Sequence, residues 1–308
     1  MSSNMLTLHE IAMQYAKKQP GIADDLTEES PILEMMKWKA ATHGLWNVAE
    51  RLTDITGPAF VKPDSPLPEM NTSSDLVHID LNVLGGYMEV PSLRAKHVSG
   101  DWKKYFADKQ AWILKKAGMD TEVQIVQKNW LQAALEDGYV IDAGGSGDGF
   151  YILAVRFDES LNVGLYDPKQ FDQGRLLQID FPYDGAEHIL KGKGYEGVLG
   201  HSVVYRGNFG WQNLDAKRTV AAIVNITETK VPKPVDIDKI LTEVRAKPGN
   251  TYLIMSPYAK LYAINNYKLE KVELVNGDNE AKTLIDTWNG IPIKTSYNIK
   301  NPIAHVNV

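Results

Sequence analysis

Ser99–Glu136 reads SGDWKKYFADKQAWILKKAGMDTEVQIVQKNWLQAALE, and the rest of the chain is organised around it. Trp102, Tyr105 and Phe106, Ile113, Ala117, Val123, Val126, Trp130, and Ala134 with Leu135 recur mostly in steps of three, four or seven, the spacing of a helical stripe. Ser99 and Asp101 offer start signals and Asp137-Gly138 a stop. A continuous helix of this length spans about 57 Å at about 1.5 Å per residue, long for one compact domain. Gly118 is a place for a bend, at about 1 kcal/mol relative to alanine, and no proline interrupts the pattern. The polar side of the first half is basic, with Lys103, Lys104, Lys109, Lys115 and Lys116 against Asp101 and Asp108. Such a side is read either as a solvated helix face or as a surface for a polyanion.

Composition bounds what surrounds the helix. The chain has 308 residues, 44% hydrophobic and 23% charged, which suits a globular protein of one large or two to three small domains. A net charge of −6 argues against a dedicated nucleic-acid binder, whose phosphate contacts need a basic face, though one basic surface remains compatible. There is no cysteine, so disulfides, thiolate metal sites and thiol nucleophiles are excluded. The first 20 residues lack the basic start and apolar run of a secretion signal, and no stretch of about 18 apolar residues occurs. The expectation is an aqueous compartment and no membrane partner.

Upstream of the helix, Thr7–Lys18 carries Leu8, Ile11, Ala12 and Tyr15 on one face, behind a Thr7–Glu10 capping box and ahead of Pro20-Gly21. An acidic connector follows, and the second half of 31–51 reads as extended. Thr53–Ser74 holds Pro58, Pro63, Pro66 and Pro68, which donate no backbone hydrogen bond, and is expected to be an exposed, extended loop. From Asp75 to Val90 the text returns to strand. The picture is a long two-stranded excursion with a proline-rich tip, of a length that in a compact domain is usually functional or disordered.

Downstream, Ala143–Gly149 (AGGSGDG) is expected to be a flexible junction. Residues 150–227 are strand-rich with Gly, Asp and Pro turn clusters, an apparent β insertion the size of a small barrel or sandwich. Val235–Ala246 is expected to be helical and Thr251–Ser256 a buried strand. A second helix begins at Pro257 behind Ser256, and closing strands complete an α+β unit. No repeat or low-complexity tract is present.

No motif carries catalytic chemistry. Gly192-Lys193-Gly194-Tyr195-Glu196-Gly197 has the spacing of a dinucleotide fingerprint, but strand text follows where the helix for the pyrophosphate must begin, so it is read as a turn. Ser146 in GGSGDG lacks the glycine of a nucleophile elbow because Asp148 stands there. The histidines at 9, 43, 78, 97, 188, 201 and 305 never pair at metal-ligand spacing. Asp24-Asp25 and Glu28-Glu29 are acidic neighbours in a connector, and the glycosylation-like triplets at Asn71 and Asn225 have no secretory context. No catalytic, cofactor-binding or metal residue is therefore nominated. Seven tryptophans are spread along the chain, and Trp46, beside the excursion, is the one expected at an interface rather than in the core.

Several runs, in order, resemble the major capsid protein of tailed bacteriophages with the Hong Kong 97-type fold. They are ESPILEMM (29–36), DLNVLGGYMEVP (80–91), ILAVRFDESLNVGLYDP (152–168), YRGNFGWQ (205–212), RTVAAIVNI (218–226), NTYLIMSPYAKLY (250–262) and IDTWNGIPI (285–293). The resemblance implies an α+β capsid fold: N-terminal arm 1–37, extended β-hairpin loop 38–92, and a peripheral domain with the spine helix over 93–146. An inserted β-rich domain 147–227, an axial domain 228–285 and a return to the peripheral domain over 286–308 complete it. It implies a non-enzymatic shell protein whose hexamers and pentamers close an icosahedral head around double-stranded DNA. No cofactor is implied. The implied partners are further copies of the chain, a separate scaffolding protein, a portal, cement proteins, and packaged DNA held by weak nonspecific contact. The implied location is the virion capsid, assembled in the host cytoplasm. The scaffolding protein is expected to be separate because about 30 residues before Pro31 are too few for the long helical scaffold of the type member. No Lys–Asn pair is assigned to that protein's cross-link. Two alternatives stand beside this: an encapsulin-type cellular nanocompartment shell, and a carbohydrate-binding enzyme built on the β-rich block, which would need a converging acid, base or metal set.

Overall fold

The computed structural model describes residues 5–8, 10–11, 29–170, 177–263, 270–274, 283–299 and 302–307. The capping box is formed: the Glu10 carboxylate accepts the Thr7 N–H at 2.6 Å, and Thr7 Oγ1 accepts the Glu10 N–H at 3.2 Å. Residues 12–18 of the helix expected there, and Asp24, Asp25 and Glu28 of the connector, lie outside the described residues, as does His9. The described parts of the N-terminal region are tied to the body. Leu6 bridges Trp38, and the short helix α1 (Pro31–Met35) buries Ile32 and Leu33 in the main core.

After β1 (Trp38–Ala40), β2 (Trp46–Thr56) and β3 (Asn71–Asp80) pair antiparallel into a two-stranded sheet of their own, the excursion expected from the prolines. The strands run further towards the tip than Thr53 and Ser74, because the prolines begin only at Pro58; the loop proper is 57–70. The register slips between Leu52 and Asp54, a bulge of the kind that adds twist to a free ribbon. Almost without a break the chain enters β4 (Asn82–Pro91), which leaves the ribbon and joins the body.

The long helix starts later than its first candidate cap. Ser92–Ser99 forms its own short helix, α2, closed by Gly100 in the left-handed region at φ 80 with its N–H bonded to the Lys96 carbonyl. Asp101 is the cap residue of α3 (Trp102–Val123); a π-helical segment, Gln124–Leu131, and α4 (Gln132–Asp137) continue it to Gly138. The buried row is Leu114, Gly118, Glu122, Val126, Trp130 and Ala134, rotated by one residue from the apolar stripe at Ile113, Ala117 and Val123. A row of strict fours drifts by about 40° per step around an α-helix. Wider turns closed by i to i+5 bonds take up that drift and bring Trp130 back over the core. Gly118 is thus a buried contact position.

Two sheets flank the helix. One carries the order β1-β7-β10-β4, where β7 is Asn162–Tyr166 and β10 Leu199–Asn213, with β8 (Gln178–Asp180) and β9 (His188–Ile189) also pairing with β10. The other has seven strands in the order β13-β14-β15-β12-β6-β11-β5. These are β5 (Tyr139–Asp142), β6 (Phe150–Arg156), β11 (Val220–Ile226), β12 (Thr251–Met255), β13 (Glu270–Leu274), β14 (Thr283–Trp288) and β15 (Ile291–Thr295). The strand-rich block 147–227 thus forms no barrel or sandwich of its own: β6 and β11 lie in the second sheet beside β12, and β7 to β10 in the first. The reason is visible in the text of β6 and β11, which is apolar at nearly every position and needs cover on both faces.

That cover comes from opposite sides. Tyr151, Leu153 and Val155 face the long helix and share a core with Phe106, Leu114, Trp130, Trp38 and Val203. Ile152, Ala154, Ala221 and Ile223 face α5 (Pro234–Glu243) through Ile237, Ile240 and Leu241, and α6 (Pro257–Ala263) through Ala259 and Ala263. Ser256 caps α6 as expected, its Oγ accepting the Ala259 N–H at 3.0 Å.

The glycine-rich junction 143–149 is not a loose linker. The Gly145 N–H bonds the Asn225 carbonyl at 3.1 Å, and a Cβ there would stand 2.3 Å from that oxygen, so glycine permits close approach of two backbones. Asn225 donates from its side chain to Asp142 at 2.9 Å, and this bond, with the Gly144 N–H, holds the Asp142 carboxyl below the usual carboxylate range.

Candidate functional site

The feature without an internal explanation is the β2–β3 ribbon. Every residue from Glu50 to Leu76 is exposed, so neither face of the ribbon nor its tip touches the body. From the Trp46–Asp80 pair outward the strands extend about 35 Å at about 3.3 Å per residue. Leu52, Ile55, Phe60, Leu67, Met70 and Leu76 are all exposed along it. Exposed apolar side chains gathered on one element are the kind of surface that a neighbouring molecule can cover. Within the ribbon, Ser74 bonds Glu50 at 2.5 Å and Arg51 lies 3.9 Å from Asp75, two solvent-exposed contacts that contribute little.

The base of the ribbon is built rigidly. Trp46 stacks on His43 with centroids 3.5 Å apart and on His78 at 4.9 Å. The expected interface tryptophan is therefore half-buried between two rings of its own chain. Asn47 and Gln212 form a buried amide pair, Asn47 Nδ2 donating to Gln212 Oε1 at 3.0 Å. The Thr42 N–H donates to Asn47 Oδ1 at 3.1 Å, and Gln212 Nε2 to the Ser160 carbonyl at 2.6 Å. Each amide is satisfied on both sides, which fixes where the ribbon leaves the body. Sequence reasoning passed over this pair, since polar residues inside strand text carry no period. Between the base and the long helix lies an open cavity of about 630 Å³, lined among others by Trp38, Asp80, Val83, Gln124, Asn129 and Trp211.

The second exposed feature is the basic side of α3. Lys103, Lys104, Lys109 and Lys116 are exposed and Lys115 is half-buried. Lys116 pairs with Asp120 at 2.5 Å, while Lys103 lies over the Trp102 ring and Lys115 over Trp112. Trp112, 72% exposed, is the tryptophan that stands in solvent.

The motifs set aside in the sequence stay apart. Gly192–Gly197 is a turn leading into β10; the Gly192 N–H is occupied by the Glu89 carboxylate at 2.7 Å and the Gly194 N–H by Glu196 at 2.9 Å. His188 bonds Ser202 at 3.0 Å and His201 stacks on Trp102 at 4.7 Å. Asn225 is buried in β11. Among the described residues no group of three or more His, Asp or Glu side chains is placed to hold a metal ion, and no helix is long and apolar enough to cross a membrane.

No known family profile matches the chain, and no curated protein does. Solved structures do. The chain is similar to a structure of bacteriophage Epsilon15 at 12% identity and TM-score 0.46, covering 96% of each chain. It is similar to the capsid of bacteriophage JBD30 at 11% identity and TM-score 0.48, covering 82% of this chain and 88% of that one. An encapsulin complex from Synechococcus elongatus is similar at 10% identity and TM-score 0.40, covering 68% of this chain and 92% of that one.

Proposed function

We propose that this chain is a self-assembling shell protein, the major capsid protein of a tailed phage, with a Hong Kong 97-type fold. The observation that carries the reading is the ribbon of 46–80: a rigidly based arm, exposed on both faces and bearing apolar residues, makes sense when neighbouring copies cover it. The order of the seven runs quoted above supports it. In this reading the ribbon is the extended loop and Trp102–Asp137 the spine helix. The sheet of β1, β4 and β7–β10 belongs with the helix to the peripheral domain, and the seven-stranded sheet with α5 and α6 is the axial domain. The strands of 147–227 then belong to both. Copies form hexamers and pentamers, with a scaffolding protein, portal and cement proteins as partners, and the head assembled in the host cytoplasm encloses double-stranded DNA. The protein's work is mechanical.

Negative-stain images of the purified chain test this directly: closed shells or capsomers are expected, and a small discrete particle overturns it. The nanocompartment alternative keeps the shell and changes the cargo, so shells purified from the natural source that hold an enzyme and no DNA decide for it.

The lysine side of the spine helix is the surface this reading turns towards the genome, held by sequence-independent contact. Reversing Lys103, Lys104 and Lys109 to glutamate is expected to weaken binding of duplex DNA to capsomers and to lower the log–log salt slope by about 0.9 per lysine engaged. Unchanged affinity and slope would remove the helix from the DNA-facing surface.

A further inference from the structure

One long strand edge is left bare by everything above. β4 ends the first sheet, with β10 along its inner side. Every second residue of a strand turns its N–H and C=O away from a given partner, so β4 carries an outward row of such groups along its 10 residues. The row meets solvent: Asn82, Val83, Gly85, Gly86 and Tyr87 are exposed, Val83 at 63% and Tyr87 at 68%. The other edges among the described residues are covered, short or guarded. Leu6 bridges the outer side of β1, and β5 and β13, at the two ends of the second sheet, have 4 and 5 residues. In the ribbon, β2 carries Glu50, Arg51, Asp54 and the bulge, and β3 carries Asp75 and Asp80. Charges and bulges of this kind keep edges from pairing. β4 has neither along its length: its one charged residue, Glu89, accepts the Gly192 N–H at 2.7 Å, and its proline stands at the last position.

The two glycines of β4 point the same way. Gly85 is required by the chain itself, since a Cβ there would stand 2.6 Å from the Tyr205 carbonyl oxygen. Gly86 is not: its φ lies outside the left-handed region, and a Cβ would meet nothing within 4 Å. A glycine inside a strand that its own fold does not need marks the close approach of another backbone. We propose that β4 pairs antiparallel with β4 of a second copy across a two-fold axis at Gly86, joining two first sheets into one. A two-fold makes an edge its own partner, so no other segment has to be supplied. In this register Tyr87 of each copy lies over Gly85 of the other, an aromatic ring covering bare backbone, and Val83 stands opposite Glu89. Leu84 meets Met88 on the face that packs against the core, and no like charges are brought together. The pairing needs nothing from the ribbon, so it stands whether or not the protein forms shells.

The chain has no cysteine, so one introduced at position 86 reports the contact. Opposed Cα atoms of antiparallel strands lie about 4.5–5.5 Å apart, within the span of a disulfide. Under mild oxidation, purified full-length Gly86→Cys should form a disulfide-linked dimer at least about tenfold faster than Trp112→Cys, because paired strands hold the two thiols at a high effective concentration. Trp112 is exposed and lies on α3, away from the edge. Tyr87→Lys added to Gly86→Cys should return the rate to that of the control, as lysine does on an edge. Equal rates at 86 and 112, or a rate indifferent to Tyr87→Lys, overturn the pairing. Should Gly86→Cys fail to fold, hydrogen exchange of the unaltered chain decides: peptide 83–89 must exchange more slowly in concentrated than in dilute solution, and no slowing overturns the pairing. Slowing without the disulfide in a folded Gly86→Cys chain places another segment on the edge and equally overturns it. The disulfide in a chain that forms no shells upholds this contact and removes the shell reading.

Discussion

Replacing Trp130 by alanine is expected to destabilise the chain by about 3–5 kcal/mol, among the largest costs of any single truncation here. The ring has no exposure and sits in the π-helical segment. It makes edge contacts to Phe157 at 5.9 Å and Trp211 at 5.1 Å. Phe157 in turn meets Tyr252 of β12 at 5.9 Å, and Trp211 meets Trp38 of β1 at 6.4 Å. Trp130 is thus the middle ring of a row that runs from one sheet through the helix to the other. Its removal costs the transfer energy of an indole and leaves a cavity walled by rigid rings on elements that cannot collapse together. Urea denaturation followed by circular dichroism measures the loss. Trp130→Phe should cost distinctly less, and Trp112→Ala, at an exposed position on the same helix, should stay within about 0.5 kcal/mol. Equal effects at 130 and 112 would mean that the row does not couple the sheets.

The same helix separates what was legible in the sequence from what was not. Its existence and stop could be read because long apolar periodicity without proline has few other solutions. Its buried row could not, because two of the six positions are Gly118 and Glu122, which an apolar count skips, and because the reading assumed one helical period where the structure uses two. Of the two start signals Asp101 is the cap, while Ser99 belongs to a preceding helix that Gly100 ends. The ribbon was legible through its prolines, which forbid a covered strand. The division of 147–227 between two sheets was not, since strand text states that a strand needs partners without saying which. Asn47, Gln212 and Glu122 escaped for a common reason, that each is satisfied by residues far away in sequence. The dinucleotide-like run was refused for want of a following helix, and Gly192–Gly197 is a turn leading into β10.

Deleting Thr53–Ser74 and closing Leu52 to Asp75 with a short Asn-Gly loop should leave the fold standing and abolish closed shells. The removed residues are exposed on every side, so the core is untouched and the thermal midpoint of the subunit should move by no more than a surface change of about 0.5 kcal/mol implies. The base also remains, because the Asn47–Gln212 pair and the His43–Trp46–His78 stack lie below the cut. What is lost is Ile55, Phe60, Leu67 and Met70, each contributing about 1.5–3 kcal/mol when buried against a neighbour. Summed over these, about 10 kcal/mol of gross contact energy per copy disappears, before the cost of ordering the tip is subtracted. In the proposed shell every copy loses the same contact, so the deficit is multiplied by the number of copies. Electron microscopy and sedimentation of the deleted chain read the outcome. Closed shells of normal stability would show that the ribbon is dispensable. The assembly contacts would then have to come from elsewhere, and the surface that now carries the functional reading would lose its claim to it.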